Sequence, residues 1–193
     1  MASGADPSLR SGQAPSVRSG QVPMLGSPRR LFVLAALATV ALDLVTKLIA
    51  EATLLRTPGI PVIGDWFQLR LVYNQGAAFG LHVGPYSRWI FFAVALVAVF
   101  VLSRMSRTNP AADRFRQIAL GLVAGGAAGN LIDRIRSSRG VVDFLDVGIG
   151  SYRWPTFNVA DIAVSCGAIA LAISLWREDA RRAEAEAESV PAA

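Results

Sequence analysis

The pattern of hydrophobic and polar positions divides the chain into four long apolar segments joined by polar loops. These segments cover about 31–50, 89–105, 117–135 and 157–176. Each approaches the ~20 residues that a helix needs to cross ~30 Å of hydrocarbon. The third segment is rich in Gly and Ala, which favours close packing between helices. The pattern therefore predicts an all-α membrane protein, a bundle of four transmembrane helices.

The loop at 51–88 is too long for a simple connection and carries a different periodicity. In "DWFQLRLVYN", residues 65–74, apolar and aromatic residues recur at every second position from Phe67 to Tyr73. A period of two predicts a half-buried strand. A second candidate strand is "VGIGSYRW", residues 147–154. We predict that the two form a small β-rich cradle that caps the bundle.

Composition supports a membrane protein over a soluble domain, because 53% of the residues are hydrophobic and only 17% are charged. The net charge of +5 comes from 18 Arg and one Lys. A membrane protein carries such an excess on its cytoplasmic loops, so we infer no nucleic-acid partner. Cys166 is the only cysteine, which excludes an intramolecular disulfide. It lies among small residues of the fourth segment, and we expect it to be a packing residue rather than a nucleophile.

Charge also predicts the orientation. Four spans place both ends of the chain on one side, where eleven Arg residues fall, against seven on the other side. The positive-inside rule then places both termini in the cytoplasm and the cradle outside. Residues 1–28, rich in Gly, Ser and Pro, are predicted to be a disordered cytoplasmic tail. Residues 29–177 would form the membrane domain, and 178–193 a charged cytoplasmic tail, expected to be a fraying helix.

Two places in the first half of the chain carry polar residues that need explaining. Asp43 and Lys47 are four apart in the first span and share one helix face. They are interpreted as a salt bridge with Lys47 reaching the membrane interface, with a direct chemical role as the alternative. In "YNQGAAFG", residues 73–80, Gly76 predicts a tight backbone and Asn74 can bond to its own turn. This motif fits a structured turn, and it also fits a loop whose polar groups bind a peptide or a lipid head group.

The third span ends in "GNLIDR", where Asn130 and Asp133 lie on one helix face and Arg134 follows. These residues fit a helix end at the head-group level. They fit equally a buried hydrogen-bond network that supports a site, since an asparagine can orient a neighbouring carboxylate. The sequence leaves both interpretations open.

Two further aspartates stand in apolar surroundings. In "GVVDFLDV", Asp143 lies between apolar pairs, which indicates a segment at the membrane surface, whereas Asp146 is interpreted as a solvated loop residue. In "FNVADIAV", Asn158 and Asp161 have the spacing of a capping box at a helix N-terminus. Capping does not require a second carboxylate, yet Asp143 lies eighteen residues before Asp161 with turn-forming residues between them.

Two aspartates that meet at a helix entrance could act as an acid and a base. Like charges that lie close together raise one pKa, so that the pair shares a proton. The ionised member could then activate water while the protonated member donates to a carbonyl oxygen. His82 is the only histidine, which disfavours a histidine-based metal cluster or catalytic triad. Neither a G-x-S-x-G motif nor a phosphate-binding loop with Lys is present.

Five motifs together resemble a known family, the bacterial lipoprotein signal peptidases, or signal peptidase II. They are "DLVTK" at 43–47, "NQGAAFG" at 74–80, "GGAAGNLIDR" at 125–134, "GVVDF" at 140–144 and "FNVADIAV" at 157–164. Each motif is weak by itself, but their order on four spans is specific. The resemblance extends from about 31 to 176, and only the two terminal tails depart from it.

The resemblance implies an aspartic endopeptidase of the bacterial cytoplasmic membrane, with its active site near the extracytoplasmic face. It implies removal of the signal peptide from prolipoproteins on the amino side of a diacylglyceryl-modified cysteine, with no metal or other cofactor. Asp143 and Asp161 match the family's catalytic pair. The residues that match its supporting positions are Asp43, Lys47, Asn74, Gly76, Asn130, Asp133, Arg134 and Asn158. Prolipoprotein substrates and membrane lipid are the expected partners, and we expect a monomer.

Two rival functions remain at this stage. Aspartates within the membrane also occur in proton channels and small transporters, but these carry polar residues through the depth of several helices. Here the polar residues cluster towards one end of the predicted bundle. A metal-dependent lipid-modifying enzyme could use Asp143, Asp146 and Asp161 as oxygen ligands, and a chelator would distinguish it from an aspartate pair.

Overall fold

A computed structural model of the chain describes residues 29–76, 83–108 and 114–189. It contains four long helices, α1 Arg29–Leu54, α2 Ser87–Thr108, α3 Arg114–Arg136 and α4 Val159–Ser189. All four are long and apolar enough to cross a membrane. The predicted fold class is therefore confirmed, and the protein is a multi-pass membrane protein. The tail predicted for 1–28 and the final residues 190–193 lie outside the described residues.

The third helix is the centre of the bundle, because α3 packs against each of α1, α2 and α4. Its glycines allow this close approach. A Cβ at Gly125 would lie 2.7 Å from the Ala36 carbonyl oxygen of α1, and one at Gly126 would collide with the Ala160 carbonyl oxygen of α4. The prediction of close helix packing is thus confirmed.

A four-stranded antiparallel sheet caps one end of the bundle. Its strands, in spatial order, are β1 Ile60–Ile63, β2 Phe67–Asn74, β3 Val141–Ile149 and β4 Tyr152–Arg153. The period-two pattern thus located β2. The second candidate strand at 147–154 is instead the end of a longer strand, β3, followed by a turn and β4. Because β3 begins at Val141, Asp143 lies within the sheet, opposite Val72 of β2.

The apolar neighbours of Asp143 face the protein rather than a membrane surface. Val141, Val142 and Phe144 are all buried, and Phe144 packs against Ala50 and Leu54 of α1. The interpretation of this segment as chain lying on the membrane was therefore wrong. Apolar residues on both faces of β3 instead indicate a strand enclosed by its own protein.

The fourth helix begins two residues later than the predicted segment and extends well beyond its predicted end. It starts at Val159, directly after Asn158, and continues to Ser189. The charged segment from 178 onward is therefore helical as far as Ser189. A sequence rich in Ala, Arg and Glu, which are good helix formers, favours this continuation.

Candidate active site

Asp143 and Asp161 line the same cavity at the sheet end of the bundle. Asp143 lies on β3, Asp161 lies in the first turn of α4, and the cavity has a volume of about 610 Å³. Three more of the predicted site residues line it, Asn74, Asn130 and Arg134. Its other walls are largely apolar side chains of α2, α3 and α4. The fold thus brings two carboxylates from separate elements to one half-enclosed space.

The start of α4 is closed by a reciprocal capping box. The Asn158 Oδ1 atom accepts a hydrogen bond from the Asp161 amide at 3.0 Å, and Asp161 Oδ2 accepts one from the Asn158 amide at 3.2 Å. The capping interpretation of these residues is therefore correct. It does not compete with a role in the cavity, because the same cap fixes the position of the Asp161 carboxylate.

Three asparagine amides orient the two carboxylates. Asn158 Nδ2 donates to Asp143 Oδ1 at 2.7 Å, and Asn74 Nδ2 donates to Asp143 Oδ2 at 3.1 Å. Asn130 Nδ2 donates to Asp161 Oδ1 at 2.9 Å. Every carboxylate oxygen of the pair thus accepts a hydrogen bond from a side-chain or backbone amide. Fixed donors of this kind define both the position and the rotation of each carboxyl group.

Lys47 lies completely buried behind the three asparagines and uses all three of its N–H donors. Its Nζ atom is 2.7 Å from Asp43 Oδ2, 2.8 Å from Asp133 Oδ2 and 2.9 Å from Asn130 Oδ1. The predicted pairing with Asp43 is present, but the expectation that Lys47 reaches the membrane interface was wrong. Two carboxylates hold the ammonium group inside the bundle, which a search along one helix could not reveal.

The two carboxylates that hold Lys47 also fix the elements that carry the candidate pair. Asp43 Oδ1 accepts a hydrogen bond from the Ala160 amide at 2.9 Å, at the N-terminus of α4. Asp133 Oδ2 accepts one from the Val142 amide at 3.2 Å, next to Asp143 on β3. Both are fully buried. This charged layer, Asp43, Lys47 and Asp133, therefore ties α1 and α3 to both elements of the site.

Arg134 and Gly76 complete the rim of the cavity. The Arg134 guanidinium donates to the Gly76 carbonyl at 2.9 Å and to the Asn130 carbonyl at 3.1 Å, and lies 5.9 Å from the Phe91 ring centroid. The Gly76 amide donates to Asn74 Oδ1 at 2.9 Å, as expected for a polar turn. The rest of that motif, residues 77–80, lies outside the described residues.

Comparison with known proteins agrees with this arrangement. A family model described as signal peptidase (SPase) II matches residues 35–177, a range that contains every residue of the candidate site.

The chain belongs to the signal peptidase II family.

Two relatives illustrate the similarity, both named lipoprotein signal peptidase. The protein from Oleidesulfovibrio alaskensis is 41% identical over 149 residues, which cover 76% of this chain and 94% of the relative. The protein from Geobacter metallireducens is 36% identical over 156 residues, covering 80% and 96%. A solved structure described as a bacterial membrane enzyme, obtained by the in meso method at 2.3 Å resolution, is 32% identical with a TM-score of 0.68. The match covers 78% of this chain and 90% of that one.

The environment of Asp143 disfavours its charged form. Burial, and after it the nearby Asp161 carboxylate, raises the pKa of Asp143 from 3.8 to about 7. The hydrogen bonds from Asn74 and Asn158 and the charge of Lys47 act in the opposite direction. At neutral pH the Asp143 carboxyl group is therefore close to half protonated.

Asp146 does not line the cavity. It is 4% exposed and its Oδ1 atom accepts a hydrogen bond from Arg153 Nε at 3.0 Å. The interpretation of Asp146 as a solvated loop residue was wrong, since Arg153 also bonds to the Asp65 carbonyl and joins the two ends of the sheet. Among the described residues, no group of three or more His, Cys, Asp or Glu side chains is placed to hold a metal ion.

Cys166 has an exposed side chain and lines the apolar part of the cavity. The expectation that it is a packing residue was therefore wrong. The small residues around it in the sequence indicated helix packing, but the face of α4 that carries Cys166 looks towards the open space beside α2 and α3.

Two glycines belong to the site although neither was assigned a specific role from the sequence. A Cβ at Gly129 would collide with Asp43 Oδ2, so only glycine lets the Asp43 carboxylate of the charged layer lie against α3. Gly140 has a φ of +107°, and a Cβ there would collide with the Asn74 carbonyl. Both glycines lie within the quoted motifs, next to Asn130 and Val141, and this position was the sequence feature that could have indicated a role in the site.

Proposed function

We propose that Asp143 and Asp161 are the catalytic pair of an aspartic endopeptidase that removes signal peptides from lipoprotein precursors. The observation that carries this proposal is the placement of both carboxylates on one cavity, each held by amide donors. Family membership supports the substrate class, since the relatives are named lipoprotein signal peptidases.

The charges favour a particular division of labour between the two aspartates. Asp143, with its raised pKa, is the member of the pair that holds the proton, and Asp161 is assigned the role of the base. Asp161 takes a proton from water as the water oxygen attacks the scissile carbonyl carbon, while Asp143 donates its proton to the carbonyl oxygen. When the C–N bond breaks, Asp161 returns its proton to the departing amine and the carbonyl oxygen returns its proton to Asp143. Water is thus consumed and both carboxyl groups regain their starting states.

The apolar walls of the cavity support a lipid-modified substrate. Below the two aspartates the lining consists of small and apolar side chains, among them Val94 and Ala98 of α2 and Ile162 of α4. A diacylglyceryl chain at the cleavage site could lie along these walls while the peptide occupies the polar end. Cleavage would occur on the amino side of the lipidated cysteine, whose amine is then the leaving group.

The same proposal includes a location and an oligomeric state. We place the protein in the bacterial cytoplasmic membrane with both termini in the cytoplasm and the sheet outside, because arginines are more numerous on the terminal side. We propose a monomer as the active unit. The lipid bilayer is the expected partner of the four helices.

Lipid modification of the substrate should decide the rate. We expect purified protein in detergent to cleave a diacylglyceryl-modified precursor and to cleave the unmodified precursor at least about 100-fold more slowly, because the apolar walls contribute binding energy. The two rates are measured by gel mobility and mass spectrometry of the product. EDTA should leave the rate unchanged, and a rate that falls in EDTA and recovers with a divalent metal would contradict the aspartate mechanism.

The rate should also depend on pH through Asp143. Since Asp143 must hold a proton to act as the acid, we expect kcat/KM to fall as pH rises through about 7, because kcat/KM reports the pKa of the free enzyme. The Asn74→Ala variant loses a hydrogen bond that lowers the pKa of Asp143, so its decline should occur at higher pH than in the parent. Profiles of kcat/KM between pH 5 and about 9 measure both. A kcat/KM that rises steadily across this range would contradict the assignment of Asp143 as the acid.

The same shift affects stability. Because the pKa of Asp143 is raised on folding, the folded state binds this proton more tightly than the unfolded chain does. Its stabilising contribution is complete below 3.8 and is lost as the pH rises through about 7.

A further inference from the structure

Glu51, in the last turn of α1, is held by side chains from three other parts of the molecule. Its Oε2 atom lies 3.0 Å from Arg136 Nη2, at the end of α3. Its Oε1 atom accepts a hydrogen bond from the Tyr73 hydroxyl of β2 at 3.1 Å and lies 3.5 Å from Arg139 Nη2. The Arg139 guanidinium also lies 4.0 Å from the Tyr73 ring centroid. We call Glu51, Tyr73, Arg136 and Arg139 the outer clasp; none of them was among the predicted site residues.

One branch of the outer clasp leads to Asp161. Arg136 Nε donates to Asp133 Oδ1 at 2.8 Å, so Arg136 connects Glu51 to the charged layer. Asp133 in turn holds Lys47, and Lys47 donates to the oxygen of Asn130. The Lys47 contact orients the Asn130 amide so that its N–H group faces Asp161. The chain of contacts from Glu51 to Asp161 is therefore unbroken.

The other branch leads to Asp143. Tyr73 directly precedes Asn74 on β2, and Asn74 donates to Asp143 Oδ2. Tyr73 lies opposite Val142, and Asn74 lies opposite Val141 on the strand that carries Asp143. Burial and the adjacent Glu51 carboxylate raise the pKa of Tyr73, so the phenol keeps its proton and remains the donor. The hydrogen bond to Glu51 thus fixes the end of β2 against α1.

We propose that Glu51 is a positioning residue that holds Asp143 and Asp161 in their working geometry, by fixing β2 and α3 to the same carboxylate. It touches neither the cavity nor the reacting atoms and acts through Asn74 and Asn130. The inference rests on the proposed function, because it assumes that these two aspartates are the catalytic pair. An outer contact can have a large effect, since small displacements of catalytic groups lower the rate steeply.

The test compares Glu51→Gln with a matched control, Glu178→Gln. Glu178 also joins two helices through an arginine, since its Oε2 atom lies 2.7 Å from Arg116 Nη1, but it lies far along α4 from the cavity. We expect Glu51→Gln to lower kcat about tenfold while KM on a lipidated precursor stays within about twofold of the parent value. Glu178→Gln should keep both constants. The thermal unfolding midpoints of the two variants in detergent should be similar.

Two more variants keep the outcome decisive. Glu51→Asp retains the charge and should recover part of the lost kcat. Tyr73→Phe removes one hydrogen bond without any change in charge, and should lower kcat in the same direction even if Glu51→Gln folds poorly. A parent-like kcat in both Glu51→Gln and Tyr73→Phe would overturn the inference. So would a kcat loss that simply follows a lower unfolding midpoint.

Asp143→Asn serves as the reference that separates the two proposals. If Asp143→Asn is inactive while Glu51→Gln is fully active, only the positioning role fails. An active Asp143→Asn overturns the proposed function as well.

Discussion

Asparagine in place of either proposed catalytic aspartate should abolish signal-peptide cleavage while leaving the protein folded in the membrane. We expect Asp143→Asn and Asp161→Asn each to lower kcat by about 10⁴-fold, because one variant loses the acid and the other the base. Asparagine has nearly the same shape as aspartate, and its side-chain oxygen at position 161 can still accept the capping hydrogen bond from Asn158. Loss of activity would therefore not reflect loss of the helix start.

Cleavage of a lipidated precursor, followed by gel mobility, measures this effect. Asp65→Asn is the matched control, since Asp65 is an exposed aspartate on the same sheet end of the molecule and should keep full activity. The two active-site variants should also differ in stability. Asp143→Asn removes a carboxyl group whose ionisation is unfavourable in the fold, so its unfolding midpoint should fall less between about pH 6 and 8 than that of the parent. Full activity in either variant would remove that residue from the catalytic pair.

Methionine in place of Lys47 should cause the largest loss of stability of any single change at the site. Lys47 is completely buried between Asp43 and Asp133, so Lys47→Met leaves two carboxylates without their shared cation. Removal of one partner from a buried ion pair typically costs about 3–5 kcal/mol of unfolding free energy. Activity should fall too, about 100-fold, because Asn130 loses one of the two donors, Lys47 and Asn158, that orient its amide towards Asp161.

The unfolding midpoint of the purified variant in detergent measures this loss, and Arg182→Met is the control. Arg182 pairs with Glu178 at an exposed position of α4, where an ion pair contributes little. A double variant, Lys47→Met with Asp43→Asn, should regain part of the lost stability because the carboxylate that pairs with Lys47 within α1 becomes neutral, whereas Asp133 keeps its ion pair with Arg136. An unfolding midpoint for Lys47→Met equal to that of the parent would contradict the structural role assigned to this layer.

The position of the four helices and of β2 could be read from periodicity because both depend on local sequence. An apolar run long enough to span a bilayer leaves few alternatives to a helix, since every backbone polar group must be bonded within the segment. The alternation from Phe67 to Tyr73 similarly defines one face of a strand. The capping box at Asn158 and Asp161 is also local, because its partners are three residues apart.

The roles of several single residues could not be read in the same way. Lys47 appeared to need the membrane interface until α3 supplied a second carboxylate, Asp133, from a distant part of the chain. Asp146 appeared solvated because its partner, Arg153, lies across a hairpin that the sequence did not delimit. Cys166 appeared to be a packing residue because the face of α4 that it occupies depends on the rotation of the whole helix. In each case the deciding neighbour belongs to another element.

The sequence by itself determined that this protein crosses the membrane four times, that one strand precedes the second helix, and that a small set of carboxylates and asparagines collects near one end. These features follow from hydrophobic period, segment length and residue spacing, which act within a few turns of chain. Only the tertiary structure decided that β3 brings Asp143 to the cavity at the start of α4, and that a buried cation and the outer clasp stand behind the pair. Such contacts join residues far apart in the chain, and their geometry is set by how α1, α3 and the sheet pack together.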